Sequence, residues 1–420
     1  MIKSVRGTYD IMPEDARLWH AIELEMRSIF ESYAFGEIRT PVFESTELFV
    51  RGVGQETDIV SKEMYTFDDK DNKSSLTLRP EATAPVVRSY IEHHLDQESR
   101  TIKLYYIGPM FRRERPQKGR FRQFYQAGVE VLSSNDNPAI EAEVIEMLIL
   151  LFDHLGLIDL EITVNSIGCH ECRPAFTEKL RGEIAGRSSE LCVDCNRRGE
   201  SNPLRVFDCK VPECQLVLSE LPSITDNLCS GCSEHFNKFK GLLDDREIKY
   251  RVDSRLVRGL DYYMKTTFEI VSKKLGAQDA LVGGGRYDSL SEKLGGPRTN
   301  GFGFAMGLER LLLSIPDPDK LVSKSGPLYF LATIGDNVFR YAAQLARSLR
   351  SLGVNVYLDF DNRSLKSQMR LAGKLSAENV VIIGDDEIKD DKLVVRDMNT
   401  RSQRKIAKSE FLVEAEKLVR

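Results

Sequence analysis

No apolar run in this 420-residue chain approaches the roughly 18 residues a membrane-spanning helix needs. The longest candidate, IEMLILLF at 145–152, is broken by Glu146 and sits inside a helical pattern. The amino-terminal stretch MIKSVRGTYDIMPEDARLWH lacks the apolar core of a secretory signal. These absences argue against a membrane or exported protein and make the cytoplasm the expected compartment. No internal repeat and no low-complexity tract occurs, which argues against a solenoid. Nor is there an overall excess of positive charge. Lys+Arg number 59 against 64 Asp+Glu, a net charge of −5, so the chain as a whole is not a polycation.

What is present is an ordinary globular composition, 41% hydrophobic and 29% charged. Its length suffices for two or three domains with real cores. Against the acidic background, the stretch FRRERPQKGRFRQFYQAGVE (111–130) stands out. Between Arg112 and Arg122 it carries six basic side chains (Arg112, Arg113, Arg115, Lys118, Arg120, Arg122) and one acid, Glu114. The flanking runs IKLYYIGPMFRRE and RFRQFYQAGVEVL read as two strands of an antiparallel hairpin joined by this loop.

Side chains alternate across a strand. Arg122, Phe124, Gln126, Gly128 and Glu130 therefore share one face, with Phe121, Gln123, Tyr125, Ala127, Val129 and Val131 on the other. Arg112 and Glu114 share a face of the first strand by the same rule. At about 3.3 Å per residue, Arg122 to Glu130 spans about 26 Å, room for a nucleotide and a small second substrate end to end. Such a row is either a ligand-facing surface or a solvated sheet face, and by charge alone the loop is any anion-binding loop.

Elsewhere, Leu18, Ile22, Met26, Ile29 and Tyr33 recur at helical spacing, predicting a helix over 14–35 stopped by Gly36. EIRTPVFES predicts a short strand around Pro41. SLTLRPEATAPVVRSYIEHH predicts a strand running into a helix that opens near Glu81. Residues 138–155 predict a further helix. Residues 168–248 hold all eight cysteines within mostly helical patterns and read as an inserted module. A Pro/Asp/Ser/Lys stretch at 314–327 has linker composition. Beyond it, LYFLAT, VNVYLD and NVVIIG alternate with helical segments, the rhythm of a small α/β domain. Residues 327–420 carry 16 Lys+Arg and 13 Asp+Glu, a balance of +3 that leaves −8 on the remainder. A basic carboxy-terminal domain on an acidic body hints at an anionic partner.

Six of the cysteines form CxxC pairs: Cys169/Cys172, Cys192/Cys195 and Cys229/Cys232. Cys209 and Cys214 are five apart. Chance spacing predicts roughly 0.15 such pairs in a chain of this composition. In a cytoplasmic chain the pattern suggests metal ligation rather than disulfides, with buried free thiols as the alternative. The metal reading is one or two structural zinc sites, each of four cysteines.

GPMFRRERPQKGRFRQF resembles motif 2 of the class II aminoacyl-tRNA synthetases, with Arg112 and Glu114 in its F-R-x-E core. GFGFAMGLERL resembles motif 3, ending in Arg310, and EIRTPVFE resembles motif 1 with Pro41. TLRPEAT and LVRGLDYY resemble the two signature segments of the histidyl-tRNA synthetases. Five motifs in the family's order cover essentially the whole chain. One departure is Ala82, where the family usually has glycine; a methyl group fits there if the backbone angles suit alanine.

The resemblance implies an α+β class II catalytic core over 1–325, an antiparallel sheet flanked by helices. It implies the helical insertion at 168–248 and an α/β anticodon-binding domain at 326–420. It implies two steps: histidine attacks the α-phosphorus of ATP, and a terminal hydroxyl of tRNA(His) then attacks the adenylate. Arg258 and Arg112 are the implied catalytic residues. Glu81, Ala82, Thr83 and Gln126 are implied at the α-amino end of histidine, and Glu130 and Tyr263 at its ring nitrogens. Tyr262 and Tyr287 line the same pocket, which Arg112 and Arg258 also reach. ATP, with Mg2+, falls to Arg112, Glu114, Arg122, Phe124 and Arg310. The tRNA acceptor end falls to Arg115, Gln117 and Arg120. The glycines 283–285 are expected to bring backbone close to ligand, and motif 1 implies a homodimer.

Two other readings exist. Another class II synthetase, prolyl or threonyl, would share motifs 1 to 3 but not LVRGLDYY with Glu130. A non-catalytic regulatory paralogue would lack the carboxy-terminal domain and carry a degraded signature.

Overall fold

The computed structural model describes the chain except residues 56, 70–73, 118, 273–279, 323–327, 336–337, 362 and 418–420. Lys118 of the basic loop and the end of the linker stretch lie outside the described residues. Two compact units emerge, Met1–Val322 and Ser323–Arg420.

The strands of the first unit are β1 (Gly36–Glu37), β2 (Phe43–Ser45), β3 (Tyr65–Asp69), β4 (Ser74–Leu78), β5 (Thr101–Phe111), β6 (Gln123–Ser133), β7 (Leu160–Ser166), β8 (Arg251–Val252), β9 (Met264–Ser272), β10 (Ala280–Arg286) and β11 (Asn300–Gly307). Eight of them form one sheet in the order β1-β5-β6-β11-β10-β9-β7-β8; β2-β4-β3 form a small second sheet. The large sheet is antiparallel except at its edge pairs, β1 with β5 and β7 with β8.

Alternation along β6 decides which face is core. Ala127, Val129 and Val131 are buried in one cluster with Ile22, Met26 and Phe30 of helix Pro13–Ser32 and Ile145, Leu148 and Phe152 of helix Pro138–His154. Burying that apolar face is the main driving force for joining sheet to helices. The opposite face is thereby left for the row Phe124, Gln126, Gly128 and Glu130.

The long first helix ends at Ser32, short of Gly36. Ala34 adopts the left-handed conformation (φ +63°), and the Phe35 amide reaches back to the Phe30 carbonyl at 3.0 Å. The segment around Pro41 is not one strand. It divides into β1 and β2 in different sheets, with Pro41, which has no amide proton to donate, at the crossing.

The segment between β7 and β8 contains helices Cys172–Gly186, Val193–Ser201, Pro212–Glu220 and Ser230–Asp244. Its core joins Phe176, Leu180, Val206 and Leu218 to Cys195, Cys209 and Cys214. A buried charge hub ties it to the sheet. Arg286 of β10 donates to Glu141 at 2.7 Å and pairs with Asp136 at 2.9 Å and Asp288 at 3.0 Å, while His235 of the last of these helices meets Glu141 at 2.6 Å.

The second unit has strands β12 (Tyr329–Ile334), β13 (Val356–Leu358), β14 (Asn379–Gly384), β15 (Lys392–Asp397) and β16 (Gln403–Ala407), ordered β13-β12-β14-β15-β16. β12 runs parallel to both β13 and β14, the expected βαβ crossovers; the rest is antiparallel. Leu331, Val381 and Ile383 pack on helix Val338–Ser351, and Phe330, Ala332 and Val380 on helix Leu365–Lys374, so helices cover both faces.

Candidate active site

The site assembles on the polar face of β6. Glu130 is only 1% exposed. Its Oε1 accepts from Thr83 Oγ1 at 2.6 Å and its Oε2 from the Tyr287 hydroxyl. Burial pushes this carboxyl up to about 8, opposed by those two donors and reinforced by the nearby Glu81.

Glu81 is buried too. It accepts from the amides of Thr83 (2.8 Å) and Ala84 (3.1 Å) in the first turn of helix Thr83–Glu92. Burial raises its carboxyl, and the two amides hold it down. Ala82 sits at φ −117°, ψ −12°, a conformation open to alanine, so the departure from glycine causes no strain.

Tyr262, Tyr263 and Tyr287 pack into the same corner. Ring centroids stand 4.7 Å apart for Tyr262 and Tyr263, and 5.7 Å for Tyr262 and Tyr287. Burial pushes Tyr263 up to about 12, partly countered by Arg258. Gln126 Oε1 and Arg258 Nε are buried without a protein partner among the described residues. Such groups are costly unless a ligand or water satisfies them.

The arginines flank this pocket. Arg112 lies just beyond the end of β5; its Nε donates to the Pro80 carbonyl at 2.9 Å, and its guanidinium stands 5.2 Å from the Phe124 ring centroid. The hairpin strands end at Phe111 and begin at Gln123, so Arg112, Glu114 and Arg122 are loop-root residues and not strand residues. Their expected shared faces do not apply, although the Arg112 amide still pairs with the Arg122 carbonyl at 2.9 Å. Arg122 reaches the amino-terminal segment, donating to the Arg6 carbonyl at 3.3 Å.

Glu114 is paired with Arg120 at 3.2 Å. Gln117 and Arg120 close a tight turn through mutual backbone bonds of 3.1 and 2.9 Å, with Gly119 at φ +73°. Arg310 ties that turn to β10, donating to the Gly119 carbonyl (3.4 Å) and to the Ala280 carbonyl at the start of β10 (2.9 Å). Arg115 and Gln117 are exposed at the tip.

Arg258 donates to Glu269 Oε1 at 2.9 Å and its guanidinium stands against Gly283, where an added Cβ would come within 1.6 Å of it. The glycine run thus makes room for Arg258. Likewise the space beside Gly128 is taken by Tyr106, whose hydroxyl would stand 2.4 Å from a Cβ there.

Three residues of this neighbourhood escape sequence reasoning. Glu269 could have been found as the one charge among Phe268, Ile270 and Val271. Arg79, which donates to the carbonyls of Pro109 (3.0 Å) and Thr40 (2.8 Å), holds β5 against the motif 1 segment. Tyr106 carries no signal, being one aromatic in an apolar strand.

The cysteines form two separate sets. Cys169, Cys172, Cys229 and Cys232 lie together, and so do Cys192, Cys195, Cys209 and Cys214, the sulfurs of each set within 4.8 Å of one another. Sulfur separations are 3.9 Å (Cys169–Cys172), 3.8 Å (Cys169–Cys229), 3.9 Å (Cys172–Cys232) and 3.9 Å (Cys192–Cys209). A disulfide needs about 2.05 Å. A zinc tetrahedron with bonds of about 2.3 Å has edges of about 3.8 Å. Backbone amides also point at the sulfurs, Cys169 N to Cys172 at 3.2 Å and Cys192 N to Cys214 at 3.2 Å, as thiolate ligands favour.

A six-stranded antiparallel centre with parallel edge pairs, carrying an arginine-flanked polar row and joined to a separate α/β unit, is the architecture of a class II aminoacyl-tRNA synthetase. A sequence profile described as Histidyl-tRNA synthetase matches residues 7–171 and 216–311, and one described as Anticodon binding domain matches 329–418. The chain is 49% identical over 406 residues to a histidine--tRNA ligase of Syntrophotalea carbinolica, covering 97% of this chain and 96% of that one. It is 49% identical over 412 residues to that of Solibacter usitatus, covering 98% of each. The crystal structure of apo S. aureus histidyl-tRNA synthetase superposes with a TM-score of 0.82 at 38% identity, over 99% of this chain and all of that one. The chain belongs to the histidyl-tRNA synthetase family.

Proposed function

We infer that the chain is a histidine–tRNA ligase, activating L-histidine with ATP and passing it to the 3′ end of tRNA(His). The observation that carries this reading is the single row on β6. Buried Glu130, met by Thr83 from the neighbouring helix, lies at one end, Phe124 under Arg112 at the other and Gln126 between them, so an amino acid and a nucleotide can be laid end to end.

The attacking carboxylate of histidine is already ionised, so the first step needs no general base. It needs alignment and positive charge where the pentavalent phosphorus develops negative charge. Arg258 and Arg112 supply that charge at the α-phosphate, and Arg310 serves the far phosphate end. Phe124 offers its ring to adenine, and Glu114, released from Arg120, accepts from the adenine amino group. The nucleotide enters as its magnesium complex; Glu269, beside Arg258, is the carboxylate that would suit such an ion. At the other end, Glu81, Thr83 and Gln126 hold the α-amino group, and Glu130 and Tyr263 address the ring nitrogens, with Tyr262 and Tyr287 as walls. Loss of those polar partners is what excludes side chains of similar size. Arg115 and Gln117, exposed on the loop tip, and Arg120 meet the tRNA acceptor end. The two cysteine sets hold structural zinc, and the working form is a homodimer.

Histidine-dependent exchange of pyrophosphate into ATP tests the reading. The expected result is exchange with histidine and not with proline or threonine, followed by charging of tRNA(His). Absence of exchange in intact protein would favour the regulatory alternative.

A further inference from the structure

Residues 253–263, between β8 and β9, carry no helix or strand, yet they bear Arg258, Tyr262 and Tyr263. A loop that positions a guanidinium and two buried rings needs its backbone fixed by something other than a sheet ladder. Outside the module, the Asn165 side-chain amide of β7 donates to the Leu256 carbonyl at 2.9 Å and the Asp261 amide to the Val53 carbonyl at 3.2 Å, but the donors nearest Tyr263 and Gly259 come from the cysteine-rich module. Arg173, next to Cys172, donates to the Tyr263 carbonyl at 2.7 Å, and also to those of Ile167 (3.1 Å) and Gly168 (3.3 Å). Asn202 donates to Asp261 Oδ1 at 3.2 Å, and Arg205 donates to the Gly259 carbonyl. Asn202 and Arg205 lie between Cys195 and Cys209, inside the second set. Asp208, immediately before Cys209, is a charge neighbour of Arg258.

The clasps therefore divide between the two thiol sets, Arg173 with the first and Asn202 and Arg205 with the second. The first set holds the start of the helix from which Arg173 projects. The second closes the turn from which Asn202 and Arg205 project. The module's own core is small and includes three of the thiols themselves. Without a metal its turns would rest on little buried area, and a four-thiolate site stabilises the folded form directly.

We propose that the two cysteine sets are zinc knots that brace the active-site loop: with metal bound they present Arg173, Asn202 and Arg205 to Tyr263, Asp261 and Gly259, and so set Arg258 and Tyr263 for histidine. The three donors are positioning residues. The inference rests on the proposed ligase reading for the roles of Arg258 and Tyr263. A Zn(Cys)4 site carries excess negative charge, and Arg173, beside Cys169, Cys172 and Cys232, is the cation placed to offset it at the first knot.

Three measurements on the full chain test this. Elemental analysis of freshly purified protein should find about two zinc ions per chain; none would overturn the proposal. Stripping the metal should speed amide hydrogen exchange in 257–263 as well as in 168–248, and adding zinc alone should restore it. Faster exchange in the module with an unchanged loop would overturn the brace. Asn202→Ala and Arg173→Ala, one clasp from each knot, should keep their zinc but raise the histidine KM roughly three- to tenfold, leaving the ATP KM within about twofold. Arg173→Lys should recover part of the loss. Unchanged histidine KM in both alanine variants would overturn it. If the parent protein shows no histidine-dependent exchange at all, the ligase reading fails, while the amide-exchange result still decides the brace.

Discussion

Glu130 concentrates the chemistry of the site in one carboxyl. Its value of about 8 lies above the ordinary 4.5, so the native state holds this proton more tightly than the unfolded chain does. Native stability from this group is therefore fully present below about 4.5 and is lost as the pH rises towards 8. Glu130→Gln should melt above the parent, by a margin that widens between pH 5 and 8; a constant margin would show that the carboxyl is not the buried, reluctantly ionised group described here. Function runs the other way. An ionised carboxylate only accepts hydrogen bonds, so gripping a ring N–H of histidine requires Glu130 to give up its proton. The histidine KM should fall about fivefold from pH 7 to 8 as that group ionises, and the Gln variant should lose this dependence. At pH 8 the variant should lose about 1.5 to 3 kcal/mol of histidine use, roughly tenfold to a hundredfold, with ATP use little changed. If ATP dependence suffers most, the two substrates are wrongly placed along β6. Period-two alternation made the row from Phe124 to Glu130 legible in the sequence. The Thr83 and Tyr287 hydroxyls on Glu130, or Glu269 under Arg258, were not, because which side chains meet across strands depends on register, and register is set by the whole sheet.

Among the elements, the hairpin β5–β6 was the most readable and its loop the least. Long alternating runs fix strand identity, but strand ends are decided by local partners. Arg112 and Arg122 fall outside the ladder because Arg112 turns to the Pro80 carbonyl and Arg122 to the amino-terminal segment. The motif 1 stretch departs from a single strand for a related reason, since a short run around a proline does not reveal that its two halves join different sheets. The loop itself now divides into two parts. Arg120 is held at its root, paired with Glu114 and backed by the Arg310 grip on Gly119, whereas Arg115 and Gln117 are exposed at the tip. The root belongs with the nucleotide and the tip with the tRNA, with Arg120 at the junction of the two. Arg115→Ala or Gln117→Ala should weaken aminoacylation while largely sparing pyrophosphate exchange. Arg120→Ala should disturb both, because it removes a tRNA contact and unsettles the turn that Arg310 holds beside the nucleotide. Equal losses in both assays for the tip variants would sink the division.

Taken whole, the molecule keeps the groups for its first step within one unit. Every residue assigned here to histidine or ATP lies between Glu81 and Arg310, within Met1–Val322. The second unit has cores of its own, with Leu331, Leu345 and Phe411 on one side of its sheet and Phe330, Ala372 and Val380 on the other. No residue of it is needed to complete the polar row on β6. Its residues 327–420 carry +3 while the remainder carries −8, so its charge favours a polyanion that the body would repel. A chain ending at Val322 should therefore keep histidine-dependent pyrophosphate exchange within about twofold, since phosphoryl chemistry depends only on groups it retains. Aminoacylation should fall through a raised tRNA KM. The salt dependence separates lost contacts from a damaged site. Each phosphate contact contributes about −0.7 to −0.9 to the slope of log affinity against log salt, so the shortened chain should show a shallower slope. Loss of exchange on truncation would instead mean that the catalytic unit depends on the second for its own stability, and an unchanged salt slope would place the tRNA contacts on the catalytic unit alone.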